Sequence, residues 1–421
     1  MFFTALALLL VGIPVAFVFG TTAIIFTAIS LDFGFEIFNL LPFRMYGIMQ
    51  NVTLMSIPLF IFMGIILEKS KIAEKLLESM TSLLSNFRGG LAISVVLVGL
   101  ILATTTGIVG ASVVMIGVIS LPIMLKYQYD KSLASGTILA SGTLGQIVPP
   151  SIVLIILADV MNLSIGDIFK SAIIPSMILV SIYIIFIMWK TSKSESLEKN
   201  RIEIPKISTF TFIKNLLPPI LLMLSVLGSI FMGIASPTES ASIGVLGAMI
   251  LTLINKTFSM RLIQKSAEET LKITGMVFMI LFGATAFSLV FNEWGGTDLL
   301  LEVFTENIED KNIFVIVAMG IIFILGFFID FIEIAFVVVP ILLPIVNEFG
   351  INPIWFAILI AINLQTSFLT PPFGFALFFL KGAVGDMVET VHLYKGVIPF
   401  IIIQLFVLAL IFIFPNILFI F

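Results

Sequence analysis

Two short stretches place uncharged, oxygen-bearing side chains beside residues that stop a helix. One is Gly142-Thr143-Leu144-Gly145-Gln146-Ile147-Val148-Pro149-Pro150-Ser151, inside the apolar run 133–163. The other is Asn363-Leu364-Gln365-Thr366-Ser367-Phe368-Leu369-Thr370-Pro371-Pro372-Phe373-Gly374. Proline has no N–H to give and clashes with the preceding turn, so neither stretch continues as α-helix. In lipid the freed carbonyls and amides each cost several kcal/mol, so such a break must be enclosed by protein or line a polar cavity. Unwound carbonyls with Ser and Thr hydroxyls make a cage of hard oxygen donors that suits a small alkali cation. The N-termini of the half-helices add partial positive charge that favours an anion. The expected arrangement is one Na⁺ per break with an anion between them, its contacts drawn from Thr106, Gly107, Gln146, Ser151, Asn363 and Gln365. A single break of this kind reads equally well as a packing kink, because Gly and Pro are frequent in membrane helices. Two in corresponding places point to a transport site near the bilayer midplane.

The titratable residues are sparse. Asp330 and Glu333 fall in apolar sequence, where an acid is a functional candidate by default, for attracting Na⁺, relaying protons or capping a helix. Their counterparts one repeat earlier are Ile108 and Ala111, so the two halves differ electrostatically. Glu239, in Pro237-Thr238-Glu239-Ser240, sits where a helix dipole favours an acid and is read as structural. Asp159 is read as a polar helix end, Asp167 as a helix cap and His392 as a solvated interfacial residue. With no cysteine and one histidine, the chain has no thiolate or His-ligated metal site, and no enzymatic constellation is visible.

The elements that must position these residues are membrane helices. The 421 residues are 60% hydrophobic and 11% charged, against about 25% charged in soluble domains. Mean hydropathy is +1.23, and many runs reach the roughly 20 apolar residues that span a bilayer. The first apolar run lacks a basic leader and a small-residue cleavage site, so it is expected to be structural. Prolines recur at a near-constant interval. Pro14 and Pro237 are 223 residues apart, and Pro122 and Pro344, like Pro149-Pro150 and Pro371-Pro372, are 222 apart. Ile174-Pro175 and Ile398-Pro399 continue the series at 224. The chain therefore reads as a duplication, residues 1–190 and 216–421, joined by a charged linker over 191–215.

In each half we expect five spans, one of them broken, and one re-entrant hairpin: an all-α polytopic protein of two inverted repeats. The hairpins are expected over about 91–125 and 313–346, each too long for one span and too short for two. The broken helices are expected over about 132–161 and 355–380. In the first half, 31–46 reads as a loop, 48–67 as a span and 68–87 as an amphipathic interfacial segment. In the second, 216–234 is a span, 258–269 amphipathic, 271–290 a span and 292–312 an acidic loop. An odd number of crossings inverts the copies. Placing the linker inside puts all but Arg44, Lys170 and Lys311 of the 21 lysines and arginines on the cytoplasmic side, with both termini outside. Each hairpin tip, Thr104–Ser112 or Phe328–Ala335, should then meet the break of its own half.

The ordered set of Gly-Ile-Pro near the start, Pro122, Gly142–Ser151, Ser236-Pro237-Thr238-Glu239-Ser240, the hairpin around Asp330 with Pro340 and Pro344, and Thr370-Pro371-Pro372-Phe373-Gly374 resembles the large membrane subunit of tripartite ATP-independent periplasmic (TRAP) transporters, over nearly the whole chain. The resemblance implies the ion-transporter superfamily fold and an elevator mechanism, with transport domain and scaffold. It also implies import of an organic anion, often a carboxylate, by Na⁺ symport across a bacterial inner membrane. A small four-helix membrane subunit and a periplasmic substrate-binding protein are the implied partners. Carried over where motifs match, it assigns Thr104, Thr105, Gly145, Val148 and Pro150 to a first sodium site, and Asp330, Thr366, Leu369 and Pro371 to a second. Glu333 stands where many members have an uncharged residue. The rival readings are a stand-alone Na⁺- or H⁺-coupled di- or tricarboxylate carrier of the same superfamily, a channel, and an intramembrane hydrolase using buried acids.

Overall fold

The computed structural model describes residues 1–30, 33–106, 109–192 and 208–419, and these contain helices and turns but no strand. Of residues 103–106 only the backbone is described. Helices α1 (Phe2–Leu10) and α2 (Val15–Ala28) flank Pro14. The next segment departs from expectation. Instead of a loop followed by a span from residue 48, a 3₁₀ turn Phe35–Leu40 leads into helix α3 (Leu41–Met49), started by Pro42 in its first turn. Asn51 then ends it. Its Oδ1 accepts from the amides of Thr53 (2.9 Å) and Leu54 (3.3 Å), an Asx turn that competes with helix. The apolar helix α4 runs over Ser56–Lys69, followed by the amphipathic α5 (Ile72–Leu83).

The first hairpin has limbs α6 (Gly90–Thr106) and α7 (Val109–Lys126). The first broken helix comprises α8 (Lys131–Gly142), a 3₁₀ turn Thr143–Gln146, an extended Pro-Pro stretch and α9 (Ile152–Val160). Helix α10 (Ile165–Ser192) closes the half. The second half runs α11 (Thr209–Phe231), α12 (Pro237–Ile254), α13 (Met260–Glu293) and α14 (Gly296–Asn307). Its hairpin has limbs α15 (Lys311–Leu325) and α16 (Phe331–Glu348), the latter with a π-helical stretch over Ile334–Val338. The second broken helix is α17 (Pro353–Leu369) and α18 (Phe375–Val384), and α19 (Thr390–Ile413) follows. By length and apolarity alone, seven of the described helices could cross a membrane, and the protein is a multi-pass membrane protein.

Two further boundaries differ from expectation. The segments read as an amphipathic stretch and a separate span are one continuous helix, α13, of 34 residues. Nothing between 258 and 290 breaks it, since Gly275 costs only about 1 kcal/mol in a helix. The acidic loop contains α14, whose leucines, such as Leu300 and Leu301, pack on the core while the acids face out. Helix starts are specified locally by side-chain caps. Asp130 accepts from Leu133 N (2.9 Å), Ser259 from Leu262 N (3.1 Å) and Asn352 from Trp355 N (3.2 Å). Ser236 and Glu239 form a reciprocal capping box, which gives Glu239 the structural role its position suggested. At α10 the cap is Ser164, not Asp167. Ser164 Oγ accepts from Asp167 N (3.4 Å), so Asp167 lies in the first turn.

Close packing depends on glycine in a few places. A methyl group on Gly136 of α8 would collide with the Gly396 carbonyl of α19, and one on Gly396 with the Ser132 carbonyl. These two helices therefore meet backbone to backbone. Across the other body, α4 and α13 pack against each other and end in an ion pair, Lys69 Nζ to Glu269 Oε1 at 2.6 Å. We expect Gly136→Ala to destabilise the protein by roughly 1–3 kcal/mol, the usual cost of overpacking. Gly275→Ala, where a methyl meets open space, should be neutral or slightly stabilising. Thermal unfolding of the two variants in one detergent checks the contrast.

Candidate functional site

The two interruptions are built alike. Gly142 ends α8, and the chain passes through Thr143–Gln146 to Ser151, with a cis Pro149–Pro150 peptide. The second interruption, after Leu369, also holds a cis peptide, Pro371–Pro372. Loose polar groups are partly satisfied within each. Ser151 caps α9, and its Oγ donates to the Gln146 carbonyl at 2.8 Å. Ser176 Oγ donates to the Ile147 carbonyl at 3.3 Å and to that of Ala172 at 2.7 Å. In the second half, Thr366 Oγ1 donates to the Ile362 carbonyl (2.8 Å) and Thr370 Oγ1 to that of Thr366 (2.7 Å). The first interruption is buried throughout, whereas Pro372 and Phe373 of the second are exposed.

Each hairpin packs on the interruption of its own half. Limbs α6 and α7 both lie against Thr143–Gln146, and a methyl on Gly142 would come within 2.5 Å of Val113. In the second half a methyl on Gly326, at the tip, would collide with the Ser367 side chain, and the rings of Phe328 and Phe373 sit 5.4 Å apart. Asp330 is half-buried at the same tip and caps α16, its Oδ1 accepting from Phe331 N at 2.7 Å. Of the remaining sodium-site assignments, Gly145, Val148 and Pro150 are buried in the first interruption. Thr366 and Leu369 are fully buried in the second, and Pro371 is half-buried. Thr104, Thr105 and Thr106 end α6, their side chains outside the described residues, as is Gly107 altogether.

The first interruption also meets helix α17, one turn before the second. Gln365 Nε2 donates to Thr143 Oγ1 at 3.5 Å, two positions 222 residues apart. Gln404 Nε2 donates to the Tyr183 hydroxyl at 2.8 Å, across an interval of 221. Some buried polar atoms here make no hydrogen bond among the described residues: both side-chain ends of Gln146, Gln365 Oε1 and Glu333 Oε2. Leaving such a group unpaired costs about 1–3 kcal/mol each. Among the residues expected to contact substrate, then, Gln146 and Gln365 keep unused capacity. Asn363 and Ser151 are committed, the first donating to the Met319 carbonyl at 2.8 Å.

A second polar locus was not anticipated. A cavity of about 480 Å³ opens between α3 and the turn that follows it, α13, the end of α9 and the π-helical limb α16. It is lined by Arg44, Asn51, Asp159, Thr285, Ser288 and Phe336, among others. Asn51 Nδ2 donates to Asp159 Oδ1 at 2.6 Å, so Asp159 is more than a polar helix end. The signal available was an asparagine and an aspartate at the margins of two apolar runs, but reading 31–46 as loop hid α3 and with it Arg44. His392 is half-buried beside Ser132 Oγ (3.3 Å) and remote in role from either locus.

An all-helical chain with paired interruptions, each embraced by a hairpin, defines a polytopic membrane transport protein. Residues 2–417 match the family described as tripartite ATP-independent periplasmic transporter, DctM component, and the chain belongs to that family, a group of transporter permeases. It is 28% identical to the sialic acid TRAP transporter large permease protein SiaM of Vibrio cholerae, covering 98% of this chain and 95% of that protein. It is 27% identical to the C4-dicarboxylate TRAP transporter large permease protein DctM of Pseudomonas aeruginosa, over 82% of this chain and 81% of that one. Its fold is similar to that in the crystal structure of the Alcanivorax borkumensis YdaH transporter, with a TM-score of 0.64 over 98% of each chain at 13% identity.

Two outcomes test the described geometry. Ser151→Ala removes a cap and an interruption bond and should cost about 1 kcal/mol, whereas the exposed Ser181→Ala should stay within about ±0.5 kcal/mol. Gln146→Leu replaces an unpaired buried amide by an apolar side chain of similar size and should leave thermal stability unchanged or raised.

Proposed function

We propose that this chain is the large permease subunit of a secondary active importer. It carries a small organic anion, a carboxylate, together with Na⁺ into a bacterial cell across the inner membrane. The observation that carries the reading is the meeting of each hairpin with the interruption of its own half, and of the first interruption with α17 through Thr143 and Gln365. Hydroxyls, freed carbonyls and the Asp330 carboxylate supply oxygen donors there, the donor set a small hard cation takes. Gln146 and Gln365, with unpaired buried atoms, are the amides left to meet the anion. Positive ions beside it lower the electrostatic cost of carrying it through a medium of low dielectric.

In this reading the two halves are inverted repeats, 1–190 and 216–421. The 222-residue interval of the Thr143–Gln365 contact, equal to that between the two Pro-Pro pairs, supports an axis relating them. The hairpins and broken helices move as one transport domain against a scaffold that includes α3, α4, α12 and α13. Both termini face the periplasm. The family description, tripartite and periplasmic, supports a small membrane subunit and a periplasmic binding protein that delivers the anion. The names of the relatives, sialic acid and C4-dicarboxylate permeases, support a carboxylate.

The test is stability of the purified chain against Na⁺ at fixed ionic strength. A ligand of the folded state stabilises by RT ln(1 + [L]/Kd), about 2.7 kcal/mol at a hundred times Kd. A saturable rise with Na⁺ but not with K⁺ or choline is expected, reduced in Thr366→Ala. In proteoliposomes with the partner proteins, uptake should need a Na⁺ gradient, and Gln146→Leu should abolish it. Uptake indifferent to Na⁺ and to the Thr366→Ala plus Asp330→Ala pair would overturn the reading.

A further inference from the structure

The cavity between α3, α13, α9 and α16 has a composition that selects among acids. Arg44 lines it, is exposed and forms no ion pair among the described residues. Asp159 lines it too, a carboxylate whose Oδ1 accepts from Asn51 Nδ2 and whose Oδ2 accepts nothing among the described residues. The Asn51 amide cannot rotate to serve another partner, because its Oδ1 holds the amides of Thr53 and Leu54. Asp159 Oδ1 is therefore held as an acceptor by Asn51, and Oδ2 is left for a ligand. Ser288 adds a hydroxyl with no hydrogen bond among the described residues, while Thr285 is engaged with the Leu281 carbonyl at 2.7 Å. The volume, about 480 Å³, is within the range of roughly 300–1,000 Å³ typical of small-molecule sites.

We propose that this cavity is an anion-recognition site for acids with one carboxylate and several hydroxyl or amide N–H donors, and that it discriminates against dicarboxylates. Arg44 pairs with the single carboxylate, the geometry at which a guanidinium fork excels. Asp159 accepts from the ligand's hydroxyl or N–H groups. A second carboxylate in the same place would face Asp159, and burying like charges together is strongly unfavourable. Phe336 gives the ligand an apolar face to rest on. The site rests on the transport reading in one respect. Its walls come from both the proposed scaffold and the proposed transport domain, so a ligand there bridges the two.

The absence of cysteine gives a direct test. In Ser288→Cys the thiol at position 288 is the sole target for a maleimide, and the full chain in lipid nanodiscs can be labelled with each acid present. Gluconate and N-acetylneuraminate should slow labelling in a saturable way, and succinate should not. Adding Arg44→Ala should raise the protecting concentration roughly tenfold or more, through loss of a charge-assisted hydrogen bond. Adding Asp159→Asn should admit succinate and weaken the hydroxylated acids. Equal labelling with every acid, or protection by succinate with Asp159 intact, overturns the proposal. Should a double variant fail to fold, the gluconate-against-succinate contrast in Ser288→Cys alone decides. Na⁺-selective stabilisation without acid protection would sink the cavity and leave the transport reading standing; protection without Na⁺ stabilisation would do the reverse.

Discussion

A peptide group without a hydrogen-bond partner cannot face lipid, and the architecture follows from that constraint. Two helices give up their regular bonding at Gly142–Ser151 and Leu369–Gly374. The first is enclosed by other protein, and the second is covered in part, Pro372 and Phe373 staying exposed. Each hairpin supplies that cover, and the opposite half adds to it. The outer limb of the first hairpin, α7, packs on α18 beyond the second interruption, and the second hairpin's α16 packs on α9 beyond the first. Serine and threonine hydroxyls then take up carbonyls that the helices release, as Ser151, Ser176 and Thr370 do. Gln146 in the first interruption and Gln365 in the helix facing it keep buried polar atoms that this arrangement leaves unsatisfied.

The interruptions, the hairpin limbs and most long helices were legible in the sequence because proline and glycine act locally and lipid removes water as an alternative partner. The same reasoning failed where the deciding information was not local. The segment 31–46 scatters Asp32, Gly34, Glu36, Asn39, Pro42 and Arg44 among apolar residues with no helical period, yet Leu41–Met49 is helical because Pro42 starts it and Asn51 stops it. The charges of 261–272 suggested a separate interfacial helix, but hydrophobic patterning does not say where a helix leaves the membrane. Met260–Glu293 simply continues through it. The polar cavity was invisible because its residues come from four separated segments, and the Asn51–Asp159 bond spans 108 positions. Candidate ligands inside the motifs were easier to name, since the motif itself assembles them.

Across the interval at which the prolines recur the chemistry changes. Thr143 bonds to Gln365, 222 positions on, an unlike side chain. The acids are also one-sided, Asp330 and Glu333 standing against Ile108 and Ala111.

The pair α4 and α13 has a further consequence. Helix α13 is 34 residues long, about 50 Å at 1.5 Å per residue, well beyond a hydrocarbon core of about 30 Å. It runs antiparallel to α4, with the Lys69–Glu269 ion pair at one end and the cavity residues Leu54, Thr285 and Ser288 at the other, roughly 24 Å away along α13. The two helices behave as stiff rods pinned together at one surface. Sliding one past the other would break the pin and shear the cavity wall at the same time. The polar cleft at one end of the helix pair is thereby tied to the register of two packed rods whose far end carries a partly exposed charge pair.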